Sequence, residues 1–174
     1  MPDSVRRLSE VLTRFNTLRA FELYDGQVGD GDVGTIVQAL AGHSSLTKVN
    51  MSGTTVGERG LAALASLLSI RNSSLVDLDL RRCHLNDEEA RILAPALGRN
   101  SVLKKLNIAC NGDITITRWR AVFAQLQSRR SSLDNLLLWG NSIDDATANL
   151  LSRELANNMQ LKALNLAQSS PIRK

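Results

Sequence analysis

Two hydrophobic periods alternate along this chain. In Ser74 to Leu97 the first half, Leu75-x-x-Leu78-x-Leu80-x-x-Cys83-x-Leu85, alternates apolar and polar residues at period 2, and the second half changes to apolar spacings of three and four. That change predicts one strand followed by one helix. The same pattern recurs from end to end. With the first leucine of the pattern as slot one, the starts fall at Leu18, Leu46, Leu75, Leu103, Leu133 and Leu161, separated by 28, 29, 28, 30 and 28 residues. Slot four holds Phe21, Val49, Leu78, Leu106, Leu136 and Leu164; slot six holds Leu23, Met51, Leu80, Ile108, Leu138 and Leu166. All eighteen side chains are apolar, so every repeat offers the same strand face to one core.

The helical halves obey the second period. Slots sixteen, nineteen and twenty-three carry Val33, Ile36 and Leu40, then Leu61, Leu64 and Leu68, then Ala90, Leu93 and Leu97. Trp119, Val122 and Leu126, then Ala148, Leu151 and Leu155, continue the series and line one helix face. Asp30 or Asp32, the capping-box pattern Asn86-x-x-Glu89, and Asp144 or Asp145 mark the helix starts.

The signature LxxLxLxx(N/C)xL followed by a helix resembles the leucine-rich repeat, in the long helical form of the ribonuclease inhibitor type. The resemblance covers essentially the whole chain. It implies an α/β solenoid, a horseshoe of about six repeats with a concave parallel sheet and convex helices. Residues 1–174 then form a single domain, opened by a half-repeat helix over residues 1–17, with strands starting near 18, 46, 75, 103, 133 and 161.

Departures from the pattern carry expectations of their own. Slot nine, where Asn or Cys bonds the turning backbone, reads Gly26, Thr54, Cys83, Asn111, Asn141 and Ser169, so the first two repeats and the last are expected to turn less rigidly. One residue is inserted within Asn111 to Ile114, which moves Trp119 into a core slot. Pro95 is expected to kink the third helix, since it lacks an N–H and crowds the carbonyl of Arg91. Val5, Leu8 and Leu12 fall on helix slots, making Asp3 to Asn16 a candidate cap, but no helix follows the sixth strand. Repeat stacks need polar caps at both ends. The expectation is that this chain is a segment of a longer array or that its uncovered C-terminal repeat packs on another chain.

Composition adjusts this picture little. Hydrophobic residues make up 43% of the chain but only two Trp, one Tyr and three Phe are aromatic, which suits thin aliphatic layers. The net charge of +4 arises from 21 basic and 17 acidic residues interspersed along the chain, a balance that favours solubility and gives weak grounds for a nucleic-acid partner. The longest apolar-rich run, Gly60 to Ile70, is too short to cross a bilayer, so no membrane role and a cytoplasmic or organellar interior are expected. Cys83 and Cys110 form no disulfide framework and no CxxC pair, consistent with reduced thiols.

Slots three, five and seven point away from the core on the concave face. Slot three reads Ala20, Lys48, Asp77, Lys105, Asn135 and Ala163, a row whose central charges alternate in sign and are expected to pair with one another. Slot five reads Glu22, Asn50, Asp79, Asn107, Leu137 and Asn165; slot seven reads Tyr24, Ser52, Arg81, Ala109, Trp139 and Ala167. The alternation that buries Leu136 and Leu138 turns Leu137 and Trp139 outward, and exposed aromatics are enriched at binding hot spots. The resemblance implies partner binding on this face, with Tyr24, Asp79, Arg81, Lys105, Leu137 and Trp139 as candidate contacts. Arg14, Arg71, Arg99, Arg129 and Arg130 end the helical halves, where cations complement unpaired carbonyls.

No catalytic, metal or cofactor constellation is apparent. His43 and His84 sit in loops of different repeats without a second ligand at zinc spacing, and Cys83 occupies a buried turn slot. Gly29, Gly31 and Gly34 lie in VGDGDVG, which lacks a phosphate-loop Lys, and are expected to ease the bend from strand to helix. The sequence therefore points to a non-enzymatic protein-interaction scaffold without a cofactor. Similar stacks imply alternatives: a GTPase-activating regulator, an actin-filament end cap, or the repeat segment of a larger sensor.

Overall fold

The computed structural model describes residues 3–70, 73–127 and 131–167. The described residues form helices α1 (Asp3–Arg14), α2 (Asp30–Leu40), α3 (Gly57–Ser69), α4 (Asp87–Arg99), α5 (Ile116–Ala124) and α6 (Asp145–Leu155). Strands β1 (Ala20–Glu22), β2 (Lys48–Asn50), β3 (Asp77–Asp79), β4 (Lys105–Asn107), β5 (Asn135–Leu137) and β6 (Ala163–Asn165) alternate with them. The strands form one parallel sheet in sequential order, each helix packs on the next, and a solenoid of two layers results.

The register aligns equal slots: Lys48 faces Asp77, Leu78 faces Leu106, and Asn107 faces Leu137. Each strand begins two residues after its slot-one leucine, and backbone bonds between repeats continue beyond it, as from the Asp25 amide to the Ser52 carbonyl at 2.9 Å. Slot-four Val49, Leu78, Leu106 and Leu136 are wholly buried between sheet and helices. The fourth repeat accommodates its insertion by burying Trp119 completely and stacking it on Phe123, with ring centroids 5.1 Å apart.

Parallel strands of three residues leave many backbone groups to be satisfied elsewhere, and polar side chains from the next repeat supply the partners. On the turn side, Thr54 Oγ1 donates to the carbonyl of Leu23 at 3.1 Å, Cys83 Sγ to Met51 at 3.1 Å, Asn111 Nδ2 to Leu80 at 3.0 Å and Asn141 Nδ2 to Ile108 at 3.0 Å. Thr54 is fully buried and keeps this ladder intact, contrary to the looser turn expected of the second repeat. Ser169 lies outside the described residues. At the helix ends a second ladder runs parallel to the first: His43, Asn100 and Asn158 donate to the carbonyls of Leu12, Leu68 and Leu126 at 2.9, 2.7 and 2.6 Å. His43 is thus a buried structural residue.

Helix starts are bonded both within and between repeats. Asn86 and Glu89 form the capping box, and Asp144 Oδ1 accepts from the Thr147 amide. Asp30 does not cap its own helix, whose N-cap Gly29 lacks a side-chain bond; its Oδ1 accepts the Gly60 amide of α3 at 2.9 Å. Asp87 likewise holds the amide of Thr115, the N-cap of α5, at 2.8 Å.

Two further expectations change, and Pro95 lies within a continuous helical span. Gly31 and Gly34 lie inside α2, and an added Cβ at Gly34 would come within 3.3 Å of the Arg59 carbonyl, so close helix packing rather than a bend explains that glycine. Helix α4 runs through an exposed Pro95 to Arg99. On α1, Val5 and Leu12 pack against the core but Leu8 stays 42% exposed, since the neighbour that buries slot nineteen elsewhere belongs to the preceding repeat. At the far end, every residue of β6 is exposed, including Leu164.

Candidate protein-binding face

The exposed side of the sheet is largely self-satisfied. In slot five, Asn50, Asp79, Asn107 and Asn165 each accept a hydrogen bond from the amide two residues on, at 2.9, 2.9, 3.1 and 3.0 Å, closing the turn that ends the strand. The slot-seven amide of the fifth repeat faces Leu137 instead, which has no acceptor to offer. The residue after slot seven takes a left-handed backbone in all five described repeats: Asp25 (φ +44°), Gly53 (+75°), Arg82 (+55°), Cys110 (+56°) and Gly140 (+71°). Gly140 has a second reason to be glycine, because a Cβ there would lie 2.7 Å from the Cys110 sulfur.

Most charges on this face are already engaged. The slot-three row separates into distinct pairs: Lys105 Nζ lies 3.3 Å from Asp77, while Lys48 turns away to Glu22 of the first repeat. Glu22 also accepts the Tyr24 hydroxyl. The Lys48 and Tyr24 donors hold the Glu22 carboxyl below its ordinary range, and the same bond raises the Tyr24 phenol. Asp79 has both oxygens occupied, one by the Arg81 amide and the other by Asn107 Nδ2 at 2.9 Å.

Arg81 is the exception. It forms no ion pair among the described residues, and its Nε is shielded from water without a partner. Its guanidinium carbon lies 6.0 Å from the centroid of the Trp139 ring. The two residues sit on the third and fifth repeats, so this contact spans the fourth, where slot seven is the fully buried Ala109. A small residue there leaves room for the arginine and the indole to meet above it. Arg81, Leu137 and Trp139 are all half-buried.

Of the six residues named from sequence, Asp79, Arg81, Lys105, Leu137 and Trp139 therefore gather on three adjacent repeats. Tyr24, 53% exposed, stands four strands away from Trp139, about 19 Å at the usual strand spacing. Asn107 and Ala109 also shape the site; the signal for them was the slot-five preference for Asn or Asp and the one small residue in the slot-seven row of the central repeats. Of the arginines at helix ends, Arg14 and Arg99 are exposed, whereas Arg71, Arg129 and Arg130 lie outside the described residues.

The remaining chemistry is structural. Cys83 is buried, and burial pushes its thiol up to about 12. The space lined by Leu103, Leu106, Val122 and Leu136 encloses about 20 Å³, room for a single water. Among the described residues there is no group of three His, Cys, Asp or Glu able to hold a metal, and no helix long and apolar enough to cross a membrane.

The leucine-rich-repeat pattern matches residues 42–65 and 71–88. Human NACHT, LRR and PYD domains-containing protein 5 is 30% identical over 139 residues, which is 79% of this chain and 11% of that protein. Human leucine-rich repeat-containing protein 73 is 29% identical over 186 residues, 88% of this chain and 58% of that protein. The chain thus spans only part of the length of these relatives. Among solved structures, the tropomodulin C-terminal domain of Caenorhabditis elegans has a TM-score of 0.54 at 14% identity, covering 95% of this chain and 84% of that one. Leiomodin-1 actin-binding site 2 gives 0.56 at 14% identity, covering 95% and 80%. At such identity the likeness is one of fold.

Proposed function

Because the chain belongs to the leucine-rich-repeat proteins, we propose that it is a non-enzymatic scaffold that binds a protein partner on the exposed face of its sheet, centred on the third to fifth repeats. The observation that carries this reading is the pairing of Arg81 with Trp139 beside Leu137, an uncompensated cation and an apolar pair on a face whose other charges are engaged. Half-buried aromatics of this kind supply much contact area at low entropic cost. A cytosolic setting accords with two free thiols.

The test is site-directed photocrosslinking. A photoreactive residue at position 137 should trap the partner, and one at the exposed Gln38 of α2 should not. Trp139→Ala should weaken that partner by about tenfold or more, as hot-spot truncations do, while the far-UV spectrum is unchanged. Trapping through position 38 alone would overturn the reading.

A second reading is actin binding, favoured by the likeness over 95% of this chain to a structure described as an actin-binding site. Cosedimentation with filaments, and filament-end elongation rates, decide it; no effect on either removes it.

A further inference from the structure

We propose that Arg81, held against Trp139, is a carboxylate-binding point, and that the partner docks there through an Asp or Glu side chain next to an apolar residue covering Leu137. This rests on the reading that the face binds protein, and it adds the chemistry of what is bound.

The first argument is one of unmet charge. Lys48 is engaged by Glu22 and Lys105 by Asp77, and Asp79 spends its oxygens on an amide and on Asn107. Among the described residues, Arg81 alone of the charged side chains on the third to fifth strands' outer face has neither an acid nor a hydrogen-bond acceptor, and its Nε is shielded from water. The buried Nε without an acceptor shows that no group of the described residues neutralises this guanidinium. Only Nε among its nitrogens is buried and unpartnered, so the terminal nitrogens remain open to a ligand.

Preorganisation is the second argument. The guanidinium carbon lies over the Trp139 ring, 6.0 Å from its centroid and at the outer reach of a cation–π contact, which biases the arginine towards the fifth repeat. An arginine already fixed in place loses less conformational freedom when it binds.

The surroundings select the ligand's charge and form. Asp77 and Asp79 on the same repeat oppose any anion, a doubly charged phosphate about twice as strongly as a singly charged carboxylate, so the carboxylate is the anion that one arginine can hold there. The sheet continues on both sides of β3, so a continuous segment can lie across it and present an acidic side chain to Arg81. Leu137 and the Trp139 ring, both half-buried, offer the adjoining apolar contact.

Selection of displayed peptides on the full chain tests this. Enriched peptides should share an Asp or Glu beside an apolar residue. In a synthetic version with both ends blocked, changing that Glu to Gln should weaken binding about tenfold or more, the usual scale for a charge-assisted bond. Arg81→Gln should weaken the Glu peptide to a similar degree and leave the Gln peptide nearly unchanged. The indole N–H resonance of Trp139 should shift on binding while that of the wholly buried Trp119 stays in place.

Peptides that move the Trp139 resonance but bind equally with Glu or Gln would overturn the carboxylate point and leave the protein-binding face standing. Enriched peptides that move no resonance of this face, or no enrichment, would count against both. Arg81-dependent binding of an unblocked C-terminus lacking acids, or of a phosphopeptide, would overturn the assignment to an acidic side chain. Should Arg81→Gln fail to fold, the Glu-to-Gln change in the peptide decides alone.

Discussion

The third and fifth repeats share a backbone and differ in what they present. At slot five the third has Asp79, whose carboxylate closes its own turn and binds Asn107, and the fifth has Leu137, which can do neither. At slot seven the third has Arg81 and the fifth Trp139, and the two meet across Ala109. Slot nine inverts the contrast. Cys83 contributes a sulfur bond to Met51, whereas Asn141 donates to Ile108 and Leu138 and accepts from Asn111. The regular repeat is thus polar on the surface and lightly stitched beneath, and the fifth is apolar on the surface and heavily stitched. A strongly bonded turn can hold an apolar contact pair in place without help from a surface network.

The sharpest way to break this comparison is to cut the stitching. Asn141→Ala strands the buried Asn111 amide, and each unpaired buried group costs about 1–3 kcal/mol, so a loss of about 3 kcal/mol is expected in denaturant unfolding. Cys83→Ala, which removes a weaker donor, should lose about 1 kcal/mol. Equal losses would abolish the distinction drawn between the two turns.

Alkaline pH separates the repeats next. The folded state keeps the proton on Cys83, whose thiol is raised from an ordinary value near 9 to about 12, mainly by burial. The unfolded chain therefore releases its proton first, and this contribution to stability is present below pH 9 and lost as pH rises towards 12. Thermal unfolding of Cys83→Ala should show a shallower decline across that window than the parent chain. In the folded protein at neutral pH a thiol reagent should modify Cys110, which is half-exposed, ahead of Cys83.

Leu137→Asn tests the surface half of the contrast by giving the fifth repeat the slot-five residue of its neighbours. The new amide can accept from the residue-139 N–H as Asn107 does from Ala109, so stability should change by less than about 1 kcal/mol. Binding of a partner should fall nonetheless, because the apolar patch is interrupted. The smallest effect is expected at Lys48→Gln: its pairing with Glu22 is exposed, and the unfolding midpoint should stay within measurement error.

The fold was legible because it is periodic. Buried Leu78, Leu106 and Leu136 follow from alternation alone, and Trp119 follows from counting one inserted residue. Less of the candidate site could be read. The pattern placed Arg81, Leu137 and Trp139 on one face, but residues two strands apart were not expected to touch, since that depends on Ala109 being small. Asp79 looked free to bind a partner because the turn that occupies its Oδ1 forms only once the chain reverses. Leu8 looked buried because its slot is buried in the later repeats, where a preceding helix covers it.

What the sequence determined by itself is the set of relations that repeat every 28 to 30 residues: strand, turn, helix and the face each turns to the core. These depend on local periodicity, and stacking identical units adds no further choice. What only the tertiary structure decided is which polar group satisfies which across repeats, as when Asp30 serves the helix after its own, Lys48 turns to Glu22 rather than Asp77, and Arg81 settles on Trp139. A side chain on such a stack has competing partners on both flanking strands, and the choice among them rests on distance and burial, which sequence spacing does not fix.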